Sequence, residues 1–298
     1  MRPASGDDGA APGAATWILT EDLDAFLTHA GPFLRSRPAR HTVPLSVTDE
    51  LRRRGLHMYG DKAPVFGFLE RAGAVRAVCF RTPPHGLYLT ALAPDEADAL
   101  AAHLTARSER LPGVAGDRDT AAAFAEAWRR HTGAASALLQ RQLLYRLGTL
   151  TVPEPAPPGR ARVADERDRE QLARWYVEFT EDVGGTPARD PAAWADARVA
   201  HGGVTLWERP DGTPVAMACV TPEIAGQVRV AHVYTPAPFR RRGYAGAVTA
   251  EVSRTAVAAG AEEVLLFTDL GNPTSNGLYR RIGYEPVAEF AAYAFEGR

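Results

Sequence analysis

The sequence has little cysteine and no long apolar run. Its two cysteines, Cys79 and Cys219, stand far apart in the apolar stretches AVCF and AMACV. A disulfide framework or a C-x-x-C metal site needs more or closer cysteines, so we expect buried free thiols in a reducing compartment and no bound metal. No stretch approaches the roughly 18 apolar residues of a membrane helix. We therefore expect a soluble, cytoplasmic protein that does not bind a membrane.

A surplus of basic charge is also absent. Lys and Arg number 34 against 36 Asp and Glu, which gives a formal net charge of −2. Nucleic-acid-binding domains usually carry a basic surplus or a ladder of stacking aromatics, so this balance argues against nucleic acid as a partner. The motifs G-x-x-x-x-G-K-[ST] and G-x-G-x-x-G are missing as well, which argues against a P-loop and a dinucleotide-binding fold.

Composition divides the chain of 298 residues into two halves. Residues 1–16 are rich in Gly, Ala, Pro and Asp and lack an apolar core, which predicts a disordered leader rather than a signal peptide. Residues 151–160, TVPEPAPPGR, contain four prolines and predict an extended linker. We therefore expect one domain over residues 17–150 and a second over residues 161–298.

The second half alternates between strands and helices after an initial helical part. Apolar spacing, turn signals and helix-start signals predict the following elements: helices 165–179 and 191–199, strands 204–208, 215–222 and 227–235, helix 245–259, strand 264–268, helix 273–282 and strand 287–295. The first half repeats this order more faintly from Val65, with a strand at 87–92 and helices at 94–108 and 119–131. The sequence thus predicts two copies of one α/β plan, each a mixed, mostly antiparallel sheet flanked by helices.

The stretch FRRRGYAGA, residues 239–247, lies where a predicted strand ends and a predicted helix begins. A helix N-terminus presents unpaired N–H groups and about half a positive charge, which together favour a bound phosphate. Gly243, Ala245 and Gly246 are small and let an anion approach the backbone. The three arginines at 240–242 add positive charge around it.

This stretch belongs to a longer pattern. HVYTPAPFRRRGYAGAV, followed after a helix by LLFTDLGNPTSNGLYRRIGYEPV, resembles the acetyl-CoA-binding core of the GNAT acyltransferase superfamily. In that family an R/Q-x-x-G-x-G/A loop holds the CoA pyrophosphate, and Arg240, Gly243 and Ala245 match it. The resemblance covers residues 160–298, whereas the first half is similar only in its order of elements, as in tandem members of the superfamily.

The resemblance implies an N-acetyltransferase with acetyl-CoA as its co-substrate. In the family, the strand before the loop pairs with the pantetheine arm, a backbone N–H near Val233 can polarise the thioester carbonyl, and the pattern N-x-x-S-x-x-x-Y lies beside the arm and the thiol. The residues expected at the cofactor are His232, Val233, Tyr234, Thr235, Arg240, Arg241, Arg242, Gly243, Tyr244, Ala245, Gly246, Asn272, Ser275, Asn276 and Tyr279.

Acyl transfer to an amine needs a proton donor for the thiolate and a proton acceptor for the ammonium. A tyrosine of pKa about 10 can protonate a thiolate of pKa about 8.5, and the resemblance gives this role to Tyr279, which could otherwise be a packed aromatic. Glu178 and Asp182, at i and i+4 of a helix, are candidate bases, although a solvated acidic helix end has the same pattern. Glu223 and His232 are the other candidates, and alternation could instead place His232 inside the sheet.

The first half lacks the features that bind a cofactor. Residues 94–96, Pro-Asp-Glu, replace the basic loop, and carboxylates at that point would repel a pyrophosphate. An ungapped count places Phe124 where Tyr279 stands, so the hydroxyl is absent. We therefore expect a degenerate GNAT-like first domain with a structural role or a role as a wall of the acceptor site.

Together these patterns predict direct transfer of an acetyl group from acetyl-CoA to a primary amine of a small molecule or peptide, by a monomer or homodimer. Two alternatives stay open: transfer of a different acyl group, and a non-catalytic acyl-CoA-binding sensor. Nothing in the sequence identifies the acceptor.

Overall fold

The computed structural model describes residues 15–185 and 190–296, and these form two compact units. The first unit comprises the chain up to residue 37, residues 43–141 and the chain from residue 290. The second comprises residues 38–42 and 142–289. Most of the predicted leader lies outside the described residues, and its last residue, Thr16, already begins a strand. None of the described helices is both long and apolar enough to cross a bilayer.

Up to residue 147 the chain forms these elements: β1 (Thr16–Thr20), α1 (Leu23–Arg35), α2 (Thr42–Arg54), β2 (Val65–Arg71), β3 (Ala74–Arg81), β4 (Leu87–Leu89), α3 (Pro94–Ala106), β5 (Gly113–Asp117), α4 (Arg118–Thr132) and β6 (Ala135–Leu147).

From residue 160 it forms these: β7 (Arg160–Val163), a 3-10 turn (Glu166–Asp168), α5 (Arg169–Asp182), α6 (Pro191–Ala200), β8 (Val204–Glu208), β9 (Pro214–Val220), β10 (Gln227–Tyr234), a 3-10 turn (Ala237–Phe239), α7 (Tyr244–Ala258), β11 (Glu263–Asp269), α8 (Pro273–Ile282) and β12 (Tyr284–Glu296).

The first unit contains a mixed sheet. Strands β1 to β4 pair antiparallel in chain order, β4 pairs parallel with β5, and residues 290–294 of β12 pair antiparallel with β5. Helices α3 and α4 contribute Leu100, Phe124 and Trp128 to the core against this sheet. The ring of Trp128 stacks on those of Phe124 and Phe295, at centroid distances of 5.9 and 5.8 Å.

The second unit contains a mixed sheet of the same kind. Strands β7 to β10 pair antiparallel in chain order, β10 pairs parallel with β11, and β11 pairs antiparallel with residues 142–146 of β6. The alternation along β9 directs Ala216 and Ala218 into the core that holds α7, and Met217 and Cys219 into the core that holds α5 and α6. Helix α7 therefore covers one face of the sheet, and α5 and α6 cover the other.

A buried ion cluster fixes the start of α5 to the edge of this sheet. Arg162 on β7 donates to both carboxylate oxygens of Asp168 at 2.6 and 2.8 Å, and to Oε2 of Glu208 on β8 at 2.8 Å. Asp168 also accepts the backbone N–H of Asp165 at 2.9 Å. Burial alone would raise the pKa of Asp168, but the bonds from Arg162 and Asp165 outweigh it and lower that pKa.

The predicted elements are most accurate in the segment from β10 to α8, where every boundary is confirmed within one residue. The prediction was wrong for β4, which ends at Leu89 rather than at residue 92; at that point the side-chain Oγ1 of Thr90, rather than a backbone carbonyl, accepts the N–H of Val78 at 2.9 Å. It was also wrong for β12, which begins at Tyr284 rather than at residue 287, directly after Gly283 in the left-handed conformation ends α8. Elements β1, α1 and α2 were not predicted.

Candidate active site

Strand β10 separates from β11 in the second half of its length. Their parallel pairing ends at Val230 and Leu266, whereas β10 continues to Tyr234 and β11 to Asp269. A bulge in the pairing with β9 accompanies this separation, since one extra residue lies between Ala231 and Tyr234. His232 is the bulged residue with a φ of +48°. The backbone of β10 beyond Val230 therefore faces a gap between the two strands.

The loop that follows β10 ends at an open helix N-terminus. Gly243 is the N-cap residue of α7 at a φ of +84°, and among the described residues no side chain caps this end. A Cβ atom at Gly243 would have room, since it would lie 3.8 Å from Pro157. Another residue at this position would therefore be strained mainly by the positive φ. At Gly246 a Cβ atom would lie 3.1 Å from Cδ1 of Leu278, so the packing of α7 on α8 also requires a small residue there.

The three arginines of the loop differ in their contacts. Arg240 donates from Nε to the carbonyl of Thr235 at 2.8 Å and pairs through Nη2 with Asp182 on α5. Its guanidinium also lies 5.8 Å from the ring centre of Tyr234. Arg241 and Arg242 are exposed and form no ion pair with the described residues. Only these two can therefore turn to an anion at the start of α7 without breaking a bond.

Three of the predicted cofactor residues at the start of α8 bond within the protein. Asn272 is the N-cap residue, and its side chain accepts the backbone N–H of Ser275 at 3.0 Å. Asn276 is buried, donates to the carbonyls of Asp269 and Asn272 at 2.9 and 2.7 Å, and accepts from the hydroxyl of Tyr145 at 3.1 Å. This network sets the direction in which α8 leaves β11.

Tyr279 lies one turn further along α8 with its hydroxyl available. Its ring packs edge-on against Tyr284 at 6.1 Å, and only 8% of the residue is exposed. The hydroxyl of Tyr284 bonds Oγ of Ser253 at 2.7 Å, whereas that of Tyr279 has no hydrogen-bond partner within residues 15–185 and 190–296. Burial raises the pKa of Tyr279 to about 12, so its hydroxyl stays protonated and can donate.

The candidate bases lie at two different ends of β10. Glu178 accepts from the hydroxyl of Tyr234 at 2.8 Å, and Asp182 pairs with Arg240, so these two carboxylates of α5 hold the end of β10. Burial and the bond to Glu178 raise the pKa of Tyr234 to about 12. Glu223 lies in the turn before β10, where it accepts the N–H of Gly226 at 3.2 Å. That turn is at the opposite end of the strand from the bulge.

His232 lies among three aromatic residues that were not predicted from the sequence to belong to a site. The centroid of its ring lies 5.2 Å from that of Trp194, 5.3 Å from that of Phe179 and 5.7 Å from that of Tyr176. Its Nδ1 is buried and has no hydrogen-bond partner in the part of the chain that the structure describes. Burial, and then the charges of Arg198 and Arg229, lower its pKa to about 3. No signal in the sequence joined Tyr176 and Phe179 of α5 to Trp194 of α6.

The corresponding region of the first unit carries different polar groups. At the start of α3, the carboxylate of Glu96 accepts the backbone N–H of Ala93 at 3.0 Å. Oγ1 of Thr120 on α4 accepts the N–H of Leu92 at 2.9 Å. Phe124 is completely buried. The start of α3 therefore carries carboxylates where the start of α7 carries arginines, which disfavours a bound anion there.

Residues 169–284 match the model of the acetyltransferase (GNAT) family. This range runs from the start of α5 to the first residue of β12 and includes the gap, the loop and Tyr279. Over residues 169–284 the chain is therefore similar to the acetyltransferases of the GNAT family. Among curated proteins, none matches the chain. Within the described residues no three His, Cys, Asp or Glu side chains are grouped to hold a metal ion.

Solved structures of the same family resemble the whole chain. A GCN5-related N-acetyltransferase from Sphaerobacter thermophilus has a TM-score of 0.61 and 18% identity, and 93% of this chain and 94% of that chain are covered. A GNAT acetyltransferase from Colwellia psychrerythraea has a TM-score of 0.60 and 11% identity, with 95% and 100% covered. A tandem GNAT protein of the clavulanic acid biosynthesis pathway has a TM-score of 0.55 and 12% identity, with 96% and 99% covered. At these identities the likeness confirms the predicted fold class, two tandem GNAT-like halves.

Proposed function

We propose that the second unit transfers the acetyl group of acetyl-CoA directly to a primary amine of a small molecule or peptide. This proposal rests on two features that occur together at one end of β10: a gap between two paired strands and an open helix N-terminus. The gap offers unpaired backbone to an amide-rich arm, and the helix offers N–H groups to a phosphate. The family match supports acyl transfer as the reaction.

The polar groups at this end of the unit fit the two chemical parts of acetyl-CoA. Oγ1 of Thr235 is buried with no hydrogen-bond partner in residues 15–185 and 190–296, and it lies next to the gap, where an amide of the pantetheine arm could satisfy it. Arg241, Arg242 and the uncapped start of α7 suit the pyrophosphate. Acetyl-CoA supplies the activated thioester, and the protein supplies position and charge. No metal ion is part of this proposal.

In the proposed reaction the neutral amine attacks the thioester carbonyl, a C–N bond forms and the C–S bond breaks. The departing sulfur takes a proton from the hydroxyl of Tyr279, which then recovers one from solvent. With a pKa of about 12, Tyr279 is protonated at neutral pH and donates a hydrogen bond to the sulfur as its charge develops. A backbone N–H near Val233 would polarise the carbonyl oxygen.

Glu178 and Asp182 stay candidates for accepting the proton of the amine. Their contacts favour another role, since each carboxylate bonds a side chain at the end of β10. By holding Tyr234 and Arg240, they would keep β10 separated from β11 and so keep the gap open. We also propose that the first unit binds no cofactor, because Glu96 occupies the start of its corresponding helix.

Two measurements on the purified protein test this function. Acetyl-CoA should raise the melting temperature, and a panel of primary amines should then release free thiol from acetyl-CoA. A thermal shift without thiol release from any amine would instead indicate the acyl-CoA sensor. A larger response to a longer acyl-CoA would indicate a different acyl donor. The absence of a shift with every acyl-CoA would overturn the proposal. We place the reaction in the cytoplasm, where the buried thiols of Cys79 and Cys219 stay reduced.

A further inference from the structure

The cluster around His232 combines aromatic walls with access to solvent. Tyr176 and Trp194 stack at 4.3 Å with an angle of 16° between their rings, and both rings contact His232, as does that of Phe179. Each of these four residues is only half-buried. In a closed core such rings would be shielded completely, so this surface can still receive an apolar group.

Two polar features of the same cluster lack a hydrogen-bonded or ionic partner among the described residues. Nδ1 of His232 is buried and unpaired there, which is costly for a polar atom unless a ligand or water satisfies it. Arg198 lies with its guanidinium 5.8 Å from the ring centre of Trp194, and it forms no ion pair with any described residue. Two carboxylates of the neighbouring helix α5, those of Glu178 and Asp182, are bonded to other residues.

The charge at this surface is positive. The charges of Arg198 and Arg229 both lower the pKa of His232, and Arg229 is held by a 3.1 Å bond to Oγ1 of Thr42. A simple ammonium would be repelled here, although aromatic rings by themselves attract cations. An amine that also carries an anionic group would find its counter-charge at Arg198. The same positive field would favour the neutral, reactive form of the bound amine.

We propose that His232, Tyr176, Phe179, Trp194 and Arg198 form the acceptor site, and that its occupant is a free α-amino acid with a large apolar side chain. The carboxylate pairs with Arg198, the side chain packs on the aromatic rings, and the amino group donates a hydrogen bond to Nδ1 of His232. This assignment rests on the proposed acetyl transfer and specifies its acceptor. The bulge that turns His232 out of the strand pattern places the amine beside the gap in which the acetyl group would lie.

A set of matched amines tests the class of acceptor. Phenylalanine should have a kcat/KM at least about tenfold above that of phenethylamine, which lacks the carboxylate, because a charge-assisted pair of this kind is lost. Phenylalaninamide should behave like phenethylamine, and glycine should be poorer than phenylalanine because it lacks the apolar group. Equal or greater kcat/KM with phenethylamine would overturn the proposed acceptor while leaving acetyl transfer intact.

Substitutions test the placement of the site. Arg198→Leu should bring the kcat/KM of phenylalanine down to that of phenethylamine, and Arg254→Leu, at an exposed position of α7, should keep the preference for phenylalanine. His232→Phe should lower kcat/KM for every amine without weakening acetyl-CoA binding, and His232→Asn, which retains a polar atom and suits the positive φ, should recover part of it. A preference that persists in Arg198→Leu would contradict the site.

Calorimetry separates the failure of this inference from the failure of the proposed function. Phenylalanine should bind the wild-type protein in the presence of CoA and bind Arg198→Leu at least about tenfold more weakly. That result would support the site even if no amine were acetylated, in which case the proposed transfer itself would fail. Acetylation of other amines without phenylalanine binding would overturn the site alone.

Discussion

At the scale of single residues, Tyr279 and Tyr284 provide a matched pair of test positions, because their rings touch and only the hydroxyl of Tyr284 is bonded within the described protein. Tyr279→Phe should leave the acetyl-CoA dissociation constant unchanged and lower kcat by about 100-fold or more, since the sulfur loses its proton donor. Thiol release measures kcat, and calorimetry measures the dissociation constant.

Tyr284→Phe is the control for that substitution. It removes the 2.7 Å bond to Ser253, so we expect a loss of about 1 kcal/mol in the free energy of unfolding with kcat retained. If Tyr279→Phe kept the wild-type kcat, Tyr279 would have no role as a general acid.

His232 makes the stability of the protein sensitive to acid. Its folded-state pKa of about 3 lies below the unfolded value of about 6.5, so the unfolded chain binds more protons between these two pH values. The free energy of unfolding should therefore fall from pH 6.5 towards pH 3, by at most about 1.4 kcal/mol per pH unit from this residue. Urea denaturation at several pH values should show a flatter dependence for His232→Asn.

His57, which is exposed, provides the control, and His57→Asn should keep the wild-type pH dependence. Parallel curves for the wild type and His232→Asn would mean that His232 is not held neutral by its surroundings. The sequence left the position of His232 open, because alternation along β10 cannot reveal a bulge. The rings of Tyr176 and Trp194 reach it from two helices that are distant in the sequence.

At the scale of elements, the start of α7 can be tested through its N-cap glycine. Gly243→Asp should weaken acetyl-CoA binding at least about tenfold, because a carboxylate would occupy the place of an anion at a helix N-terminus. Gly260→Asp carries the same substitution beyond the other end of α7, also at a positive φ, which is +101°. That control should retain the affinity, as measured by calorimetry.

An affinity that survives in Gly243→Asp would contradict the assignment of the loop to the pyrophosphate. A loss in both variants would point to the shared strain of the backbone rather than to the site. Because the two glycines differ chiefly in which end of α7 they flank, the comparison isolates the open N–H groups.

The cluster of Arg162, Asp168 and Glu208 supports the site from the start of α5. Asp168→Ala should lower the free energy of unfolding by about 3 kcal/mol, because Arg162 would lose its bidentate partner in a largely buried position. Glu251→Ala, which removes an i,i+3 pair with the exposed Arg254, should cost less than about 1 kcal/mol. Equal losses in chemical denaturation would show that burial does not strengthen the cluster.

The succession of elements from β10 to α8 could be predicted because its signals are local: alternating apolar residues, Gly260 after a helix, and Pro273 at a helix start. The gap between β10 and β11 has no local signal, and only the family resemblance, in which this strand pairs with the pantetheine arm, implied it. The contacts that hold the end of β10 are not local either, since Glu178 and Tyr234 are 56 positions apart, and Asp182 and Arg240 are 58 apart. The helix start by itself indicated an anion at the loop, whereas the role of Tyr279 beyond packing came from the family resemblance.

At the scale of the whole molecule, the two units share an order of strands and helices but differ in the charged groups at the start of the helix that would face a cofactor. We expect one acetyl-CoA per chain in a calorimetric titration, since Asp95 and Glu96 put negative charge at the start of the corresponding helix of the first unit. Gly243→Asp should remove this single binding event. A stoichiometry of two, or strong residual binding in the variant, would show that the first unit also binds acetyl-CoA.

The division into two halves followed from composition, and the repeated order of elements followed from pattern. What composition could not predict is that the second unit recruits residues from before its expected start. Pro153 and Pro157 of the predicted linker lie close to the two glycines of the loop, where added Cβ atoms would be 3.5 and 3.8 Å from them. Proline-rich composition indicates an extended chain but not the surface on which it packs.

The pairing of β11 with residues 142–146 of β6 has a practical bearing on dissecting the enzyme. A shortened polypeptide of residues 161–298 would keep the loop and Tyr279, yet one flank of β11 would lose its neighbour. The unpaired backbone N–H and C=O groups of an apolar edge strand can form hydrogen bonds with strands of other chains. Cutting the gene at the proline-rich stretch would thus yield a polypeptide prone to aggregate, and a cut before residue 142 would spare that flank.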